Sequence, residues 1–127
     1  MNEITKEWVD KAENDFDAAD LTLHGREVPI VDAVCFHSQQ CAEKYLKAFL
    51  QEHRIRFERR HELNVLLDLC IPLDGEFETL RDTLQSLEHY AVLIRYPGLI
   101  VPAEMAEQAF SAAERVRKFI RRKMGQR

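Results

Sequence analysis

Apolar residues recur along the chain at steps of three and four, which is the spacing of one face of an α-helix. The first such run spans residues 3 to 23. Its apolar face is predicted to consist of Ile4, Trp8, Ala12, Phe16, Ala19 and Leu23. We expect Asn2 or Thr5 to cap the start of this helix, and Gly25 to end it in a left-handed conformation.

The second run, residues 29 to 53, is apolar around more than half of a helical circumference. A helix with so much apolar surface is predicted to lie at the centre of a bundle. Its polar positions form one narrow stripe, again at steps of three and four. We call this set the α2 stripe, and it consists of His37, Gln40, Lys44, Lys47 and Gln51.

Three further helices are predicted in the second half of the chain, over residues 62 to 70, 76 to 94 and 102 to 124. Proline and glycine near residues 72–75 and 97–98 separate them, because these residues interrupt helices. No segment alternates as a strand does, and short connections favour antiparallel neighbours. The sequence therefore predicts an all-α fold, an up-and-down four-helix bundle with an additional short helix, in one domain over residues 1–127.

The bulk composition narrows the possible functions. With 46% hydrophobic residues the chain is too apolar to be disordered. Its net charge of −4 excludes a generally basic nucleic-acid binder, so any such contact must use a local patch. Four isolated glycines exclude a glycine-rich phosphate loop. Three cysteines without metal-binding spacing, and a polar N-terminal segment, predict a cytoplasmic protein with no metal, no cofactor and no membrane contact.

Residues 36 to 50 carry the most specific pattern in the chain, FHSQQCAEKYLKAFL. This string resembles the FHxQQAxEKxLKAxL signature of prokaryotic HEPN domains (higher eukaryotes and prokaryotes nucleotide-binding). Trp8 in the first helix, His61 at the start of the third and a long, alanine-rich fifth helix are further similarities. The segment Arg95-Tyr96-Pro97 at the end of the fourth helix is another. The resemblance covers nearly the whole chain.

The resemblance implies a helical bundle that forms a homodimer. Many members of the family are encoded beside a minimal nucleotidyltransferase in pairs that resemble toxin–antitoxin systems. Some members are metal-independent ribonucleases, in which an arginine precedes a histidine by a few residues and two such motifs meet across the dimer interface. Other members lack the motif and bind nucleotides or act as scaffolds.

Arg54 and Arg56 both precede His61 at a spacing that fits the ribonuclease motif. Histidine can move protons near neutral pH, and arginine can hold a phosphate, so the residue types fit the chemistry. In ribonuclease members, however, the motif lies around the fourth helix. The corresponding arginine here is Arg95, and no histidine follows it within six residues. We therefore expect the Arg54 and Arg56 spacing to be accidental, and we favour binding over catalysis.

The residues that we expect to contact a nucleotide or RNA are His37, Gln40, Lys44, Lys47, Arg95 and Tyr96. Each has a simpler interpretation, because the stripe can be a solvated face and Arg95 can complement the negative end of a helix. The arginines between residues 54 and 60 can bind phosphates or merely solubilise a connector. Phe57 is the one aromatic residue predicted to be free for stacking on bases, since the others fall on core positions.

Three functions stay open at this point. The first is a homodimeric HEPN module that binds nucleotide or RNA without cleaving it and pairs with a minimal nucleotidyltransferase. The second is a metal-independent ribonuclease toxin that uses Arg54 or Arg56 with His61. The third is a helical dimerisation scaffold without nucleotide chemistry. The missing histidine after Arg95 favours the first over the second, and the α2 stripe favours the first over the third.

Overall fold

The computed structural model describes residues 1–126, whose regular structure is entirely helical. The five α-helices are α1 Glu3–His24, α2 Val31–Glu52, α3 Leu63–Cys70, α4 Arg81–Leu93 and α5 Ala103–Lys123. Helices α1, α2, α4 and α5 pack as a four-helix bundle, and the short α3 lies against α2 and α4. The predicted all-α fold class is confirmed. No helix within these residues combines the length and apolar composition that a membrane span requires.

Helix α2 lies at the centre of the bundle, as its apolar circumference predicts. It contacts every other α-helix, and 13 of its 22 residues are buried. Phe49 stacks at a tilt on Phe77, with ring centroids 4.5 Å apart. Because most of α2 is covered by other helices, several of its polar residues pair within the protein rather than with water.

Helix α4 begins later than predicted. Residues Gly75–Leu80 form a 3₁₀ helix, and the α-helix starts only at Arg81. Asp74 accepts a hydrogen bond from the backbone nitrogen of Glu76 and so caps this tighter segment. Phe77 and Leu80 are three residues apart and both buried. Side chains at that spacing point the same way in a 3₁₀ helix, so the periodicity could not distinguish it from an α-helix.

Two predictions about α1 were wrong in detail. Ile4, predicted on the apolar face, is 54% exposed, while Thr5 and Val9 are buried. The buried face also includes Asp15, whose carboxylate pairs with His37 and Lys44 of α2. Gly25 has a φ of −82°, so it is not a left-handed cap. Glycine fits this position because a Cβ atom there would lie only 2.8 Å from the backbone carbonyl oxygen of Leu21.

The start of α1 and the end of α2 show how these helices are terminated. The side chain of Asn2 accepts a hydrogen bond from the backbone nitrogen of Thr5, as one of the predicted caps should. Helix α2 ends at Glu52, and the next turn places Arg54 at a φ of 58°. The backbone nitrogens of Arg54 and Ile55 donate to the carbonyls of Gln51 and Leu50, which is a Schellman motif.

Candidate functional site

A polar cleft of about 460 Å³ opens where α2, the start of α3 and the end of α4 meet. Its lining residues are Gln39, Gln40, Glu43, His61, Glu62, Glu88 and Arg95. The α2 residues reach the same cleft because positions three and four apart lie on one face of a helix. The packing of α2, α3 and α4 brings His61 and Arg95, which are far apart in sequence, to the same cleft.

Gln39 and Glu88 tie the three helices of the cleft together. The side-chain nitrogen of Gln39 donates to Glu88 Oε1 over 3.3 Å. The same oxygen accepts from the backbone nitrogen of Leu63, also over 3.3 Å, and so satisfies the start of α3 in place of a local cap. The side-chain nitrogen of Gln40 donates to the side-chain oxygen Oε1 of Gln39 over 2.8 Å. The amide oxygen of Gln40 therefore remains available to a ligand.

A buried ion pair holds His61 at the rim of the cleft. Lys47 is 5% exposed and Glu43 is 8% exposed, and the Lys47 ammonium donates to Glu43 Oε2 over 2.9 Å. The ammonium also lies 5.3 Å from the centroid of the Trp8 ring and 5.8 Å from that of Phe57. An apolar and aromatic wall with one carboxylate therefore fixes the position of the cation.

Lys47 also determines which protons His61 carries. Its Nζ atom lies 3.0 Å from Nδ1 of His61. An ammonium group can only donate, so Nδ1 must be an unprotonated acceptor and the neutral ring must carry its proton on Nε2. Glu43 Oε2, 3.4 Å from the same Nδ1, can accept from it only when Nδ1 carries a proton, in the other neutral tautomer or in the charged ring. With the contact from Lys47, the neutral ring of His61, which lines the cleft, keeps an N–H donor on Nε2 and no free lone pair.

Arg95 is the one cation of the cleft that no protein group neutralises. It follows α4 and is exposed, and within the described residues its guanidinium has no hydrogen-bond or ion-pair partner. A guanidinium group offers a fork of donors that matches a phosphate. Among residues 1–126, no group of three His, Cys, Asp or Glu side chains is placed to hold a metal ion. The cleft thus offers hydrogen bonds, one free guanidinium group and the exposed carboxylate of Glu62.

The chain matches the model of the HEPN domain family over residues 5–123. The chain belongs to the HEPN family. The family resemblance of residues 36 to 50 is thereby confirmed. The crystal structure of ST0689, an archaeal HEPN homologue, superposes with a TM-score of 0.68 at 23% identity and covers 97% of this chain and 98% of that one. At this identity the likeness shows the shared fold, a bundle of helices, and nothing of ligand or activity.

A Methanocaldococcus jannaschii protein named "Putative toxin MJ1304" is 35% identical to this HEPN domain over 99 residues. The match covers 72% of the present chain. The chain spans 62% of the length of that relative. The similarity therefore relates this HEPN domain to a protein of a toxin-like kind.

The residues of the α2 stripe do not line one common site in the structure. His37 and Lys44 both pair with Asp15 of α1, His37 through Nδ1 over 2.8 Å. Lys47 is buried in its pair with Glu43. Of the stripe, only Gln40 lines the cleft, together with Arg95 from the other predicted binding residues. Tyr96 is 59% exposed, just beyond the cleft.

The structure adds four cleft residues that sequence reasoning did not assign to binding, namely Gln39, Glu43, Glu62 and Glu88. Gln39 and Glu43 lie within the family signature of residues 36 to 50, so their place in that signature could have marked them as candidates. Glu88 carried none, because a glutamate on the polar side of α4 has the pattern of an ordinary solvated residue. Only the packing of α4 against α2 shows that its carboxylate is shared by Gln39 and α3.

Arg54 and Arg56, whose spacing from His61 fits the ribonuclease motif, lie outside the cleft. Arg54 and Arg56 line a separate cleft of about 240 Å³ with Phe57, and neither reaches the cleft that His61 lines. The arginine that shares a cleft with His61 is Arg95. Phe57 packs edge-on against Trp8, with centroids 5.7 Å apart, so the ring predicted to be free for stacking is engaged.

A larger groove of about 630 Å³ runs between α4 and α5, and it is a poorer candidate. No histidine lines it, and its one arginine, Arg115, donates to the carbonyl oxygen of Thr79. Its other polar groups are hydroxyls, two carboxylates and the amide of Gln108, which is engaged because its oxygen accepts a 3.0 Å hydrogen bond from the Tyr90 hydroxyl. The smaller cleft combines a free arginine, amides and an imidazole, and we assign the site there.

A second polar network joins α1, α2 and α5 away from the cleft. Arg117 forms a bidentate pair with Glu13, with both distances 2.7 Å, and Tyr45 donates its hydroxyl to the same carboxylate. The hydrogen bond from Arg117 is the main cause that lowers the pKa of Glu13. Burial raises the pKa of the Cys70 thiol to about 12, so this thiol is protonated and unreactive at neutral pH. The hydrogen bonds of Glu13 join α1, α2 and α5. None of these residues, nor Cys70, lines the cleft between α2, α3 and α4.

Proposed function

We propose that this HEPN domain binds a nucleotide or single-stranded RNA in the cleft between α2, α3 and α4 without cleaving it. The observation that carries the proposal is the free guanidinium of Arg95 in the same cleft as the amide of Gln40 and the N–H of His61. Arginine suits a phosphate, and glutamine suits the edge of a base because its amide both donates and accepts. The cleft therefore offers a different group to each part of a nucleotide.

The carboxylates of the cleft support a mode of binding in which the base of the nucleotide enters the cleft and its phosphate lies near Arg95. Glu43 is neutralised by Lys47, and Glu88 is occupied by Gln39 and the backbone of Leu63. Glu62 remains exposed, and hydrogen bonds from backbone nitrogens lower its pKa, so it is charged at neutral pH. A carboxylate repels a phosphate but accepts from the amino group of a base.

We propose further that the protein acts as a homodimer and pairs with a minimal nucleotidyltransferase in a toxin–antitoxin-like system. The toxin-like relative supports such a setting. Apolar residues next to Arg95 support a protein contact, since Leu99 is 53% exposed and Ile100 is 94% exposed. Light scattering at micromolar concentration should give the mass of a dimer. A monomer at that concentration would remove homodimerisation from the proposal.

The ribonuclease alternative keeps one specific observation in its favour, because His61 and Arg95 share the cleft. Cleavage through the 2′-hydroxyl needs a base, and the contact from Lys47 leaves His61 without a free lone pair on either nitrogen. A scaffold without nucleotide chemistry is the third possibility, and it has no use for an unpaired arginine in a polar cleft.

The test is binding and cleavage of labelled, single-stranded RNA without metal, in the wild type and in Arg95→Ala and Gln40→Ala variants. Lys118→Ala is the matched control, because Lys118 is an exposed cation on α5 whose pair with Glu114 is 3.7 Å long. A hydrogen-bonded charge contributes about 1.5–3 kcal/mol, so Arg95→Ala should weaken binding about 10- to 100-fold. Lys118→Ala should leave it unchanged.

Two results would contradict the proposal. Cleavage by the wild type that disappears in His61→Ala would establish the ribonuclease instead. No binding of RNA or nucleotide by the wild type at millimolar concentration would leave the scaffold as the better function.

A further inference from the structure

The connector between α2 and α3 holds two arginines in an unusual backbone conformation. Arg54 has a φ of 58° and Arg59 a φ of 62°, and no other non-glycine residue among residues 1–126 has a positive φ. Arg54 occupies the position after the α2 cap where glycine is the commonest residue. Arg59 lies in a turn that is closed by a 2.9 Å hydrogen bond from the nitrogen of Arg60 to the carbonyl of Phe57.

Glycine would adopt both conformations without the steric cost that a Cβ atom brings. Arginine at both places therefore works against the local backbone. No other part of the protein recovers this cost, because within the described chain neither Arg54 nor Arg59 donates a side-chain hydrogen bond or forms an ion pair. Both residues are exposed. Two strained arginines without internal partners are best explained by a partner outside the chain.

The connector is also held in a way that directs its cations outward. Ile55 and Phe57 are partly buried and pack on the core, so the intervening Arg56 is presented to solvent. Residues 54 to 60 contain four arginines and one glutamate, a net charge of +3 in a chain of net charge −4. The connector leads directly into His61 and Glu62, which line the cleft. A positive edge thus adjoins the proposed binding site.

We propose that the connector arginines, Arg54 and Arg59 first among them, bind the phosphodiester backbone of a single-stranded RNA whose terminal nucleotide occupies the cleft. This inference rests on the proposed function and adds to it the polymeric nature of the ligand. A mononucleotide would use the cleft alone. A longer strand would continue along the connector and gain one phosphate contact for each arginine that it passes.

The test uses an Arg54→Gly/Arg59→Gly variant, which removes two charges and relieves two strained positions. Lys118→Gln/Arg122→Gln, which removes two exposed charges of α5, is the matched control. The probes are a 12-nucleotide oligouridylate and uridine monophosphate, each titrated over a range of KCl concentrations. The melting temperature of each variant is measured in parallel.

We expect the glycine variant to bind the oligonucleotide at least tenfold more weakly while its affinity for the mononucleotide is unchanged. Each phosphate contact contributes about 0.7 to the salt dependence for single strands, so the slope of log K against log salt should become shallower by about 1.4. Its melting temperature should be equal to that of the wild type or higher, because glycine suits both positions. The α5 variant should change the oligonucleotide affinity less than twofold.

Three outcomes overturn the inference. Equal oligonucleotide affinity and salt slope in the wild type and the glycine variant would remove the connector from the site while leaving the proposed function intact. A fall of several degrees in melting temperature would mean that the arginines make contacts within the fold. Failure of the wild type to bind either probe would overturn the proposed function and this inference together.

Discussion

Lys47→Met is the substitution whose effect follows most directly from the way α2 is built. Methionine keeps an unbranched, apolar stem of similar length but removes the ammonium group. Glu43 would then lose the cation that neutralises it while remaining almost wholly buried, with 10% of its side chain exposed. Its remaining contacts are a 3.5 Å hydrogen bond from Gln39 and a contact with His61, which can donate to it only when Nδ1 carries a proton.

Removing one partner of a buried ion pair costs about 3–5 kcal/mol, because the other charge stays buried without compensation. The cation also loses its contacts with the rings of Trp8 and Phe57, which contribute about 0.5–2 kcal/mol. Partial protonation of Glu43 and the entry of water reduce the total. We therefore expect Lys47→Met to lower the free energy of unfolding by about 3 kcal/mol, and the melting temperature by about 10–15 °C for a domain of this size.

The assay is urea denaturation followed by circular dichroism, in a cycle with Glu43→Leu and the double variant. Replacing both charges by apolar groups is often nearly neutral, so the double variant should recover most of the stability lost by Lys47→Met. The coupling free energy should be about 2 kcal/mol or more. Additive effects, or a loss below about 0.5 kcal/mol for Lys47→Met, would refute a buried pair and favour the solvated stripe.

Three further predictions concern single features of the bundle. The imidazole ¹⁵N shifts of His61 at neutral pH should show protonation on Nε2 only, and Lys47→Met should shift the population toward the other tautomer; Nδ1 protonation in the wild type would contradict the contact. Asn2→Ala should lower the free energy of unfolding by about 1 kcal/mol in urea denaturation, as for loss of a helix cap. Because Arg117 lowers the pKa of Glu13 in the folded state, that stabilisation is complete above the ordinary pKa of 4.5 and is lost as the pH falls below it. Glu13→Gln should therefore lose less stability than the wild type between pH 7 and pH 3, and parallel pH profiles would be the contrary result.

Periodicity was sufficient to predict the helices because their apolar faces are nearly continuous. It placed the centre of the bundle on α2, where Leu46 and Leu50 are fully buried. It failed at Gly75–Leu80, since a spacing of three residues fits a 3₁₀ helix and an α-helix equally well. Periodicity also could not predict that the buried face of α1 includes Asp15, because this polar residue is buried through its partners on another helix.

The candidate site was predicted only in part, for a related reason. Sequence alone placed Gln40 and Arg95 among binding residues, and both line the cleft. It grouped Lys47 and Lys44 with them, because a hydropathy pattern treats every lysine as solvated. Lys47 pairs with Glu43 one turn earlier on α2, a spacing at which such pairs are common, although the spacing does not show that the pair is buried. Lys44 pairs with Asp15 of α1, and no spacing within one helix predicts a pair between two helices.

We propose above that a nucleotide binds in the cleft between α2, α3 and α4. The most direct measurement is a titration of ¹⁵N-labelled protein with a short single-stranded RNA, followed by amide chemical shifts. RNA bound in the cleft should change the amide chemical shifts of Gln40, His61 and Arg95 most. The shifts of Ser86 and Ser111, which line the α4–α5 groove, should stay unchanged. Shifts concentrated in that groove, or no shifts at millimolar RNA, would contradict the proposal.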